Sequence, residues 1–254
     1  MRLFDTHAHL TDKRFDKDRQ QIIAGFGENG IELVMDVAED VENARACIKN
    51  AEQHAMIYAA AGVHPHQAQK MKTGYIDELA RLLEHDKVKA VGEIGLDYHH
   101  NFSPREVQKK VFYEQLELAA SKKLPVILHD REAHADMLDA LRTFRGKLTG
   151  VMHCFSGSYE TAVECIRLGY YISFAGPLTF INAVKLQDAA ARLPSERLLI
   201  ETDCPYLAPE PVRGKRNEPK NVAHTVTKMA ELRGVEPEEM ALITFENGQK
   251  LFRI

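Results

Sequence analysis

Apolar residues recur along this chain in two alternating rhythms. Short β-branched or apolar runs appear as "RLFDTHAH", "IELVMDVA", "MIYAAAGVHP", "VKAVGEIGLD", "LPVILHD", "TGVMHCFSG", "YYISFAGP" and "RLLIETDCP". Between them, segments such as "DKDRQQIIAGFGENG", "VQKKVFYEQLELAASKKL" and "AHADMLDALRTFRG" space their apolar positions three and four apart, as an amphipathic helix does. The strand-like runs begin at Arg2, Ile31, Met56, Val88, Leu124, Thr149, Tyr170 and Arg197, so 21 to 36 residues separate neighbouring starts. That interval holds one strand and one crossover helix. Strands alternating with helices predict a parallel sheet covered by helices, and eight such units fit a (β/α)₈ TIM barrel. A doubly wound open sheet competes, but no GxGxxG follows the first strand and the polar residues do not gather at one crevice. No low-complexity linker breaks the alternation, so one barrel domain over residues 1–254 is expected.

The pattern fails in one consistent place. A parallel strand buried on both faces should be almost wholly apolar. Six of the eight runs instead carry imidazole or carboxylate groups near their C-terminal ends, where barrel active sites lie. These are His7 and His9, His64 and His66, Glu93, His129, His153, and Glu201 with Asp203. His7 and His9 stand at i and i+2, on one face of their strand. A lone histidine there reads as a hydrogen-bonded core residue. So many buried ionisable groups on one rim are costly unless they pair or bind cations. Four histidines and two or three carboxylates have the composition of a binuclear metal site. Glu93 can bridge two cations, with His7, His9 and Asp203 completing one and His129 and His153 the other. Two ions roughly 3.5–4 Å apart can polarise a water and stabilise charge on a phosphoryl or acyl oxygen. Mixed nitrogen and oxygen ligands suit Zn²⁺ or Mn²⁺, with Mg²⁺ admissible.

Composition narrows the partners. Lys and Arg number 33 against 37 Asp and Glu, a formal charge of -4, so nucleic acid could be held only by a local patch and not by bulk charge. Four cysteines, Cys47, Cys154, Cys165 and Cys204, form no CxxC pair and suggest no disulfide framework. The N-terminus lacks an apolar signal core, and no apolar run approaches the ~20 residues needed to span a bilayer. A cytoplasmic protein without membrane contact is expected, and nothing in the sequence implies a stable protein partner.

The ordered set "DTHAHL", "GVHPH", "GEIGLDYH", "LHDR", "HCFSG", "SFAGP", "LIETDCPYLAP" and "RGKRNEP" resembles the TatD family of bacterial metal-dependent hydrolases over nearly the whole chain. The resemblance implies a DNase-type enzyme on an amidohydrolase-like barrel. It implies metal ligation by His7, His9, Glu93, His129, His153 and Asp203. Glu93 stands where some related barrels carry a carboxylated lysine. "LHDR" departs from the family pattern by placing Asp130 where many relatives carry a small polar residue.

The expected reaction is two-metal hydrolysis of phosphodiesters, removing nucleotides from DNA ends by a metal-bridging hydroxide. Asp203 would accept the proton, with Glu93, His64 and Glu201 in the catalytic set. His64, extended by the following Pro65, would approach a substrate oxygen. Glu201 shares the strand parity of Asp203 and would support a ligand histidine. One of His99 and His100 is expected at the mouth; Asp5 reads as structural, and His54, His85, His134 and His224 as solvated. "PVRGKRNEP" is the one concentrated basic loop, and its Arg213, Lys215 and Arg216, together with Arg131, are the candidate phosphate contacts. The same metals would equally serve an acyl hydrolase, such as one acting on the D-aminoacyl ester of a tRNA. A non-catalytic metal-binding protein is the third reading, and the complete ligand set argues against it.

Overall fold

A computed structural model describes residues 1–254. The eight apolar runs form eight strands: β1 (Leu3–Ala8), β2 (Ile31–Val37), β3 (Ile57–Ala61), β4 (Val88–Asp97), β5 (Val126–Arg131), β6 (Gly150–Met152), β7 (Tyr170–Phe174) and β8 (Leu198–Ile200). They pair in chain order, every neighbour parallel. The sheet closes on itself through a parallel bridge between Ala8 and Cys204. At this seam His9 N–H donates to the Cys204 carbonyl (2.8 Å), and Asp203 N–H donates to the His7 carbonyl (2.9 Å). The result is a (β/α)₈ barrel.

Nine helices surround it: α1 (Arg19–Ala24), α2 (Val41–Gln53), α3 (Tyr75–Leu82), α4 (Arg105–Lys122), α5 (His134–Thr143), α6 (Tyr159–Arg167), α7 (Val184–Arg192), α8 (Val222–Arg233) and α9 (Pro237–Phe252). Two apolar layers follow from this arrangement. Met35, Ala60, Ile127, Val151 and Leu199 belong to one cluster that fills the barrel interior, while a larger cluster lies between strands and helices. The first predicted helix contracts to six residues and a 3-10 turn at Gly27–Asn29. Gly25 and Gly27 weaken helix continuation there. The final helix, α9, lies outside the simple strand–helix count. Its Phe245 and Phe252 meet the Phe4 ring edge-on at 6.2 and 5.9 Å, and Asn247 donates to the carbonyls of Ser195 and Leu198. A Cβ at Gly248 would stand 2.6 Å from the Phe4 ring, so glycine is what lets α9 close the N-terminal end of the barrel. The opposite end is left to the site.

All four cysteines are free thiols. No helix is long and apolar enough to cross a membrane.

Candidate metal centre

The strand ends converge as the parity argument requires. His7 Nε2, His9 Nε2, Glu93 Oε2 and Asp203 Oδ1 lie together at the C-terminal mouth. His7 Nε2 is 3.2 Å from His9 Nε2, 3.3 Å from the Glu93 oxygen and 3.7 Å from the Asp203 oxygen. His9 Nε2 is 3.7 and 3.4 Å from the same two oxygens. A tetrahedral cation with bonds of about 2.1 Å requires ligand–ligand edges of about 3.4 Å. The five separations, from 3.2 to 3.7 Å, lie close to that edge, so these atoms are spaced as ligands of one small cation are.

Glu93 turns its second oxygen the other way. Oε1 is 2.8 Å from His129 Nδ1, 2.8 Å from His153 Nε2 and 3.5 Å from His64 Nε2. His129 Nδ1 and His153 Nε2 are 3.4 Å apart. One buried carboxylate thus divides the imidazoles into two sets, and each set could hold a cation.

The far nitrogens fix which lone pairs face the centre. His9 Nδ1–H donates to the Val37 carbonyl (2.9 Å), leaving Nε2 as the electron-pair donor. His153 Nδ1 lies 3.2 Å from Glu201 Oε1, which also accepts Cys154 N–H at 2.7 Å. His129 Nε2 lies 3.3 Å from Asp97 Oδ2. Each partner is a pure acceptor at neutral pH, so the distal nitrogen carries the proton and the proximal one is free for a metal. Glu201 therefore orients His153, as its strand parity suggests. His64 differs: its Nδ1 accepts His66 N–H (3.1 Å), so Nε2 carries the proton and faces the cavity as a donor. Burial pushes its imidazole well below the ordinary range, which keeps it neutral.

Charge distribution tells the same story. Burial alone would raise the Glu93 carboxyl, but the surrounding His153, His64 and His7 and the hydrogen bond from His129 hold it well below the usual range. Burial would lower His9, yet the Asp203 hydrogen bond and charge push it up to about 9. His153 is likewise raised well above its ordinary value, burial being outweighed by Glu93 and Glu201. Protons on these imidazoles offset the buried carboxylates in the metal-free protein. A divalent cation would take their place, which is why metal affinity at such sites depends on pH. His7 Nδ1 and Glu201 Oε2 remain buried without partners. The residues fit a metal.

The remaining candidates are more dispersed. Arg131 lines the cavities on both sides of the centre and makes no ion pair. Arg213 stacks over the Phe180 ring at 4.2 Å and lies 3.7 Å from Glu210, and Lys215 is exposed. Neither lines those cavities. Arg216 requires a correction. Its guanidinium grips both oxygens of Asp18 at 2.9 and 2.6 Å, reaches Glu218 at 2.9 Å and donates to the Arg14 carbonyl at 2.7 Å. Its charge is used to tie the loop to the segment before α1, and no free fork remains for a phosphate. Asp5 is structural: it accepts Thr202 N–H and Oγ1–H. Asp130, the departure from the family pattern, accepts His134 Nδ1–H at 2.7 Å and Ala133 N–H.

Asp97 is the residue that sequence reasoning missed. It ends β4 fully buried, and its Oδ2 lies 2.6 Å from His66 Nε2, 3.0 Å from His100 Nδ1 and 3.3 Å from His129 Nε2. Its parity with Glu93, four residues earlier on the same strand, was the available signal.

The profile of the TatD-related DNase family matches residues 4–253. This chain belongs to the TatD family. It is a metal-dependent hydrolase. Over 253 residues it is 43% identical to the metal-dependent hydrolase YabD of Bacillus subtilis, covering 99% of each chain. It is 35% identical over 258 residues to a TatD of Citrobacter koseri named as a 3'-5' ssDNA/RNA exonuclease, again covering 99% of each. The crystal structure of YjjV, a TatD homologue from Escherichia coli K12, superposes with a TM-score of 0.94 at 33% identity, over 99% of this chain and 98% of that one. These TatD relatives share the whole barrel with it.

Proposed function

We propose that this TatD-family protein is a two-metal nuclease that shortens single-stranded DNA or RNA from an end. The observation that carries the reading is the divided carboxylate of Glu93, with one oxygen toward His7 and His9 and the other toward His129 and His153. The name of the Citrobacter koseri relative supports the substrate class. Zn²⁺, Mn²⁺ and Mg²⁺ are all compatible with the mixed donors. When bound, two such cations would activate a water and draw charge from the phosphoryl oxygens.

The chain's own groups supply the rest. Asp203 directs Oδ1 toward His7 and His9, leaving Oδ2 to accept the proton of an attacking water at the cavity floor. His64 Nε2–H, held in that tautomer by His66 N–H, donates to a substrate oxygen. Arg131, unpaired within the protein, takes a phosphate by charge-assisted hydrogen bonds. Glu201 and Asp97 act through His153 and His129 as positioning residues. Arg213 and Lys215, further out on the rim, meet phosphates upstream of the cut. The four free thiols suit a reducing cytoplasm.

The test is metal-loaded protein on end-labelled single-stranded DNA and RNA, beside a panel of esters and amides. Stepwise shortening from one end, lost by at least roughly a hundredfold in Asp203→Asn, is expected. Turnover of an ester with nucleic acid left intact would overturn the nuclease reading in favour of acyl hydrolysis.

A further inference from the structure

The mouth of the barrel opens into two unlike chambers. One, of about 330 Å³, is polar and includes His64, Asp97 and His100. The other, of about 240 Å³, is walled by Phe155, Ala175, Pro177, Leu186 and Leu207. Both share His129, His153 and Asp203 at the floor and Arg131 and Leu207 between them. A two-metal phosphodiesterase needs the polar chamber. Nothing in bond cleavage requires the apolar one.

We propose that the apolar chamber is a subsite for the nucleobase of the terminal nucleotide. The proposal rests on the nuclease reading above and adds to it how the strand end is held. A base is flat, apolar on its faces and polar along its edge. Phe155, Pro177, Leu186 and Leu207 offer it apolar walls of the kind that bind single-stranded bases without strong sequence preference. Ser156 Oγ and the Arg131 guanidinium, neither with a partner in the protein, stand at the mouth to meet the polar edge or the phosphate. The floor residues place such a base one sugar away from the phosphate at the centre.

The chamber is a fixed structure. The Phe155 ring is held edge-on against Phe174, with centroids 6.3 Å apart. The Leu207 wall is pinned to the loop after β7: a Cβ at Gly176 would lie 2.0 Å from the Leu207 carbonyl oxygen. Thr179 Oγ1 ties the same two loops, accepting Glu210 N–H (2.9 Å) while donating to the Gly176 carbonyl (2.7 Å). Ile181 and Val184, 94% and 68% exposed, stand just ahead of Leu186 on the same loop and first turn of α7. They offer further apolar surface to the strand beyond the chamber. The volume of about 240 Å³ is on the scale of a single nucleoside. A strand end seats its terminal base there without the unstacking that an internal base requires, which favours action from an end.

Two filling variants, Leu186→Trp and Ser156→Trp, test the subsite in the metal-loaded full-length protein. Leu186 is half-buried on α7, and Ser156 is exposed, so the second variant decides if the first fails to fold. The readout is kcat/KM on a short single-stranded oligonucleotide and on the same oligonucleotide ending in a residue without a base. Filling the chamber is expected to lower the ratio of the two by about tenfold or more, the range that base stacking commands. The native enzyme is also expected to release a terminal residue lacking its base more slowly than a normal one, a difference that filling abolishes. Oligonucleotide degradation at the native rate in a folded variant, or an equal loss on both substrates, would overturn the subsite. Native protein that cleaves a small diester such as bis(p-nitrophenyl) phosphate but leaves every oligonucleotide intact would overturn the nuclease reading itself, and the subsite with it.

Discussion

Replacing Glu201 by Gln changes one charge while keeping nearly every contact. Oε1 accepts His153 Nδ1–H at 3.2 Å and Cys154 N–H at 2.7 Å, and an amide oxygen can accept both. The new NH₂ falls where Oε2 already lies buried without a partner, so the fold exchanges one unpaired polar atom for another. The stability change should therefore stay within about 1 kcal/mol. What is lost is the negative charge behind His153, which strengthens that imidazole as a ligand. Removing such a partner typically weakens metal binding by about 10–100-fold, or about 1.4–2.7 kcal/mol.

Glu201→Ala behaves differently. It strands two buried donors, at about 1–3 kcal/mol each, so roughly 2–6 kcal/mol of stability should go as well. Competition titration with a coloured chelator measures the metal affinities, and urea denaturation in excess chelator measures the fold alone. The expected pattern is one weakened binding step in the Gln variant on a native-like fold, and both defects in the Ala variant. Native affinity at both steps in Glu201→Gln would refute the positioning role. So would a Gln variant as unstable as the Ala variant, which would make Glu201 a purely structural residue.

Four further outcomes are expected. Metal at a hundred times its dissociation constant adds about 2.7 kcal/mol per site, so thermal denaturation against a chelator control should show Tm rising by roughly 5–10 °C per site; no rise despite bound metal would mean that the unfolded chain binds it as well. Burial pushes the Asp36 carboxyl up to about 6, whereas the unfolded chain titrates near 3.9, so the folded state holds the extra proton between these values. Stability from this group is then full below about pH 4 and falls by about 3 kcal/mol as pH rises through 6; urea denaturation of the metal-free protein should show that slope, flattened in Asp36→Asn. Arg131→Ala should lower kcat/KM on nucleic acid about tenfold or more and reduce the logarithmic salt slope of binding by about 0.7, with Tm unchanged because no partner is lost. Arg216→Ala should instead lower Tm, since it releases the loop from Asp18 and Glu218.

The barrel and the place of its candidate site were legible because ionisable groups oppose the packing of a parallel strand. His7, His129 and Asp203 stand out in apolar runs for that reason alone, and the structure brings their side chains together. Other features left weaker marks. Asp97 sits before "YHHNFSP", where an aspartate reads as turn chemistry, and only its parity with Glu93 distinguishes it. The fate of Arg216 could not be read at all. Its partner Asp18 is 198 positions away, and a charge run looks the same in sequence whether solvated or clamped. The role of α9 was similarly hidden, because an amphipathic helix does not announce which end of a barrel it closes. The apolar chamber is assembled from four separate loops and helices, each contributing one or two ordinary side chains.

The seam between the first and last strands has a consequence for how the protein comes into being. The backbone groups that join it belong to His7, His9, Asp203 and Cys204, so the same short stretches seal the barrel and carry ligand atoms. A chain emerging from the ribosome with seven strands complete possesses most of the imidazoles but neither the seam nor Asp203. Its half-built cluster offers a cation no closed cage. The group around His7 and His9 gains its second carboxylate only when the last strand docks against the first, so closing the barrel and completing that candidate cage are one event.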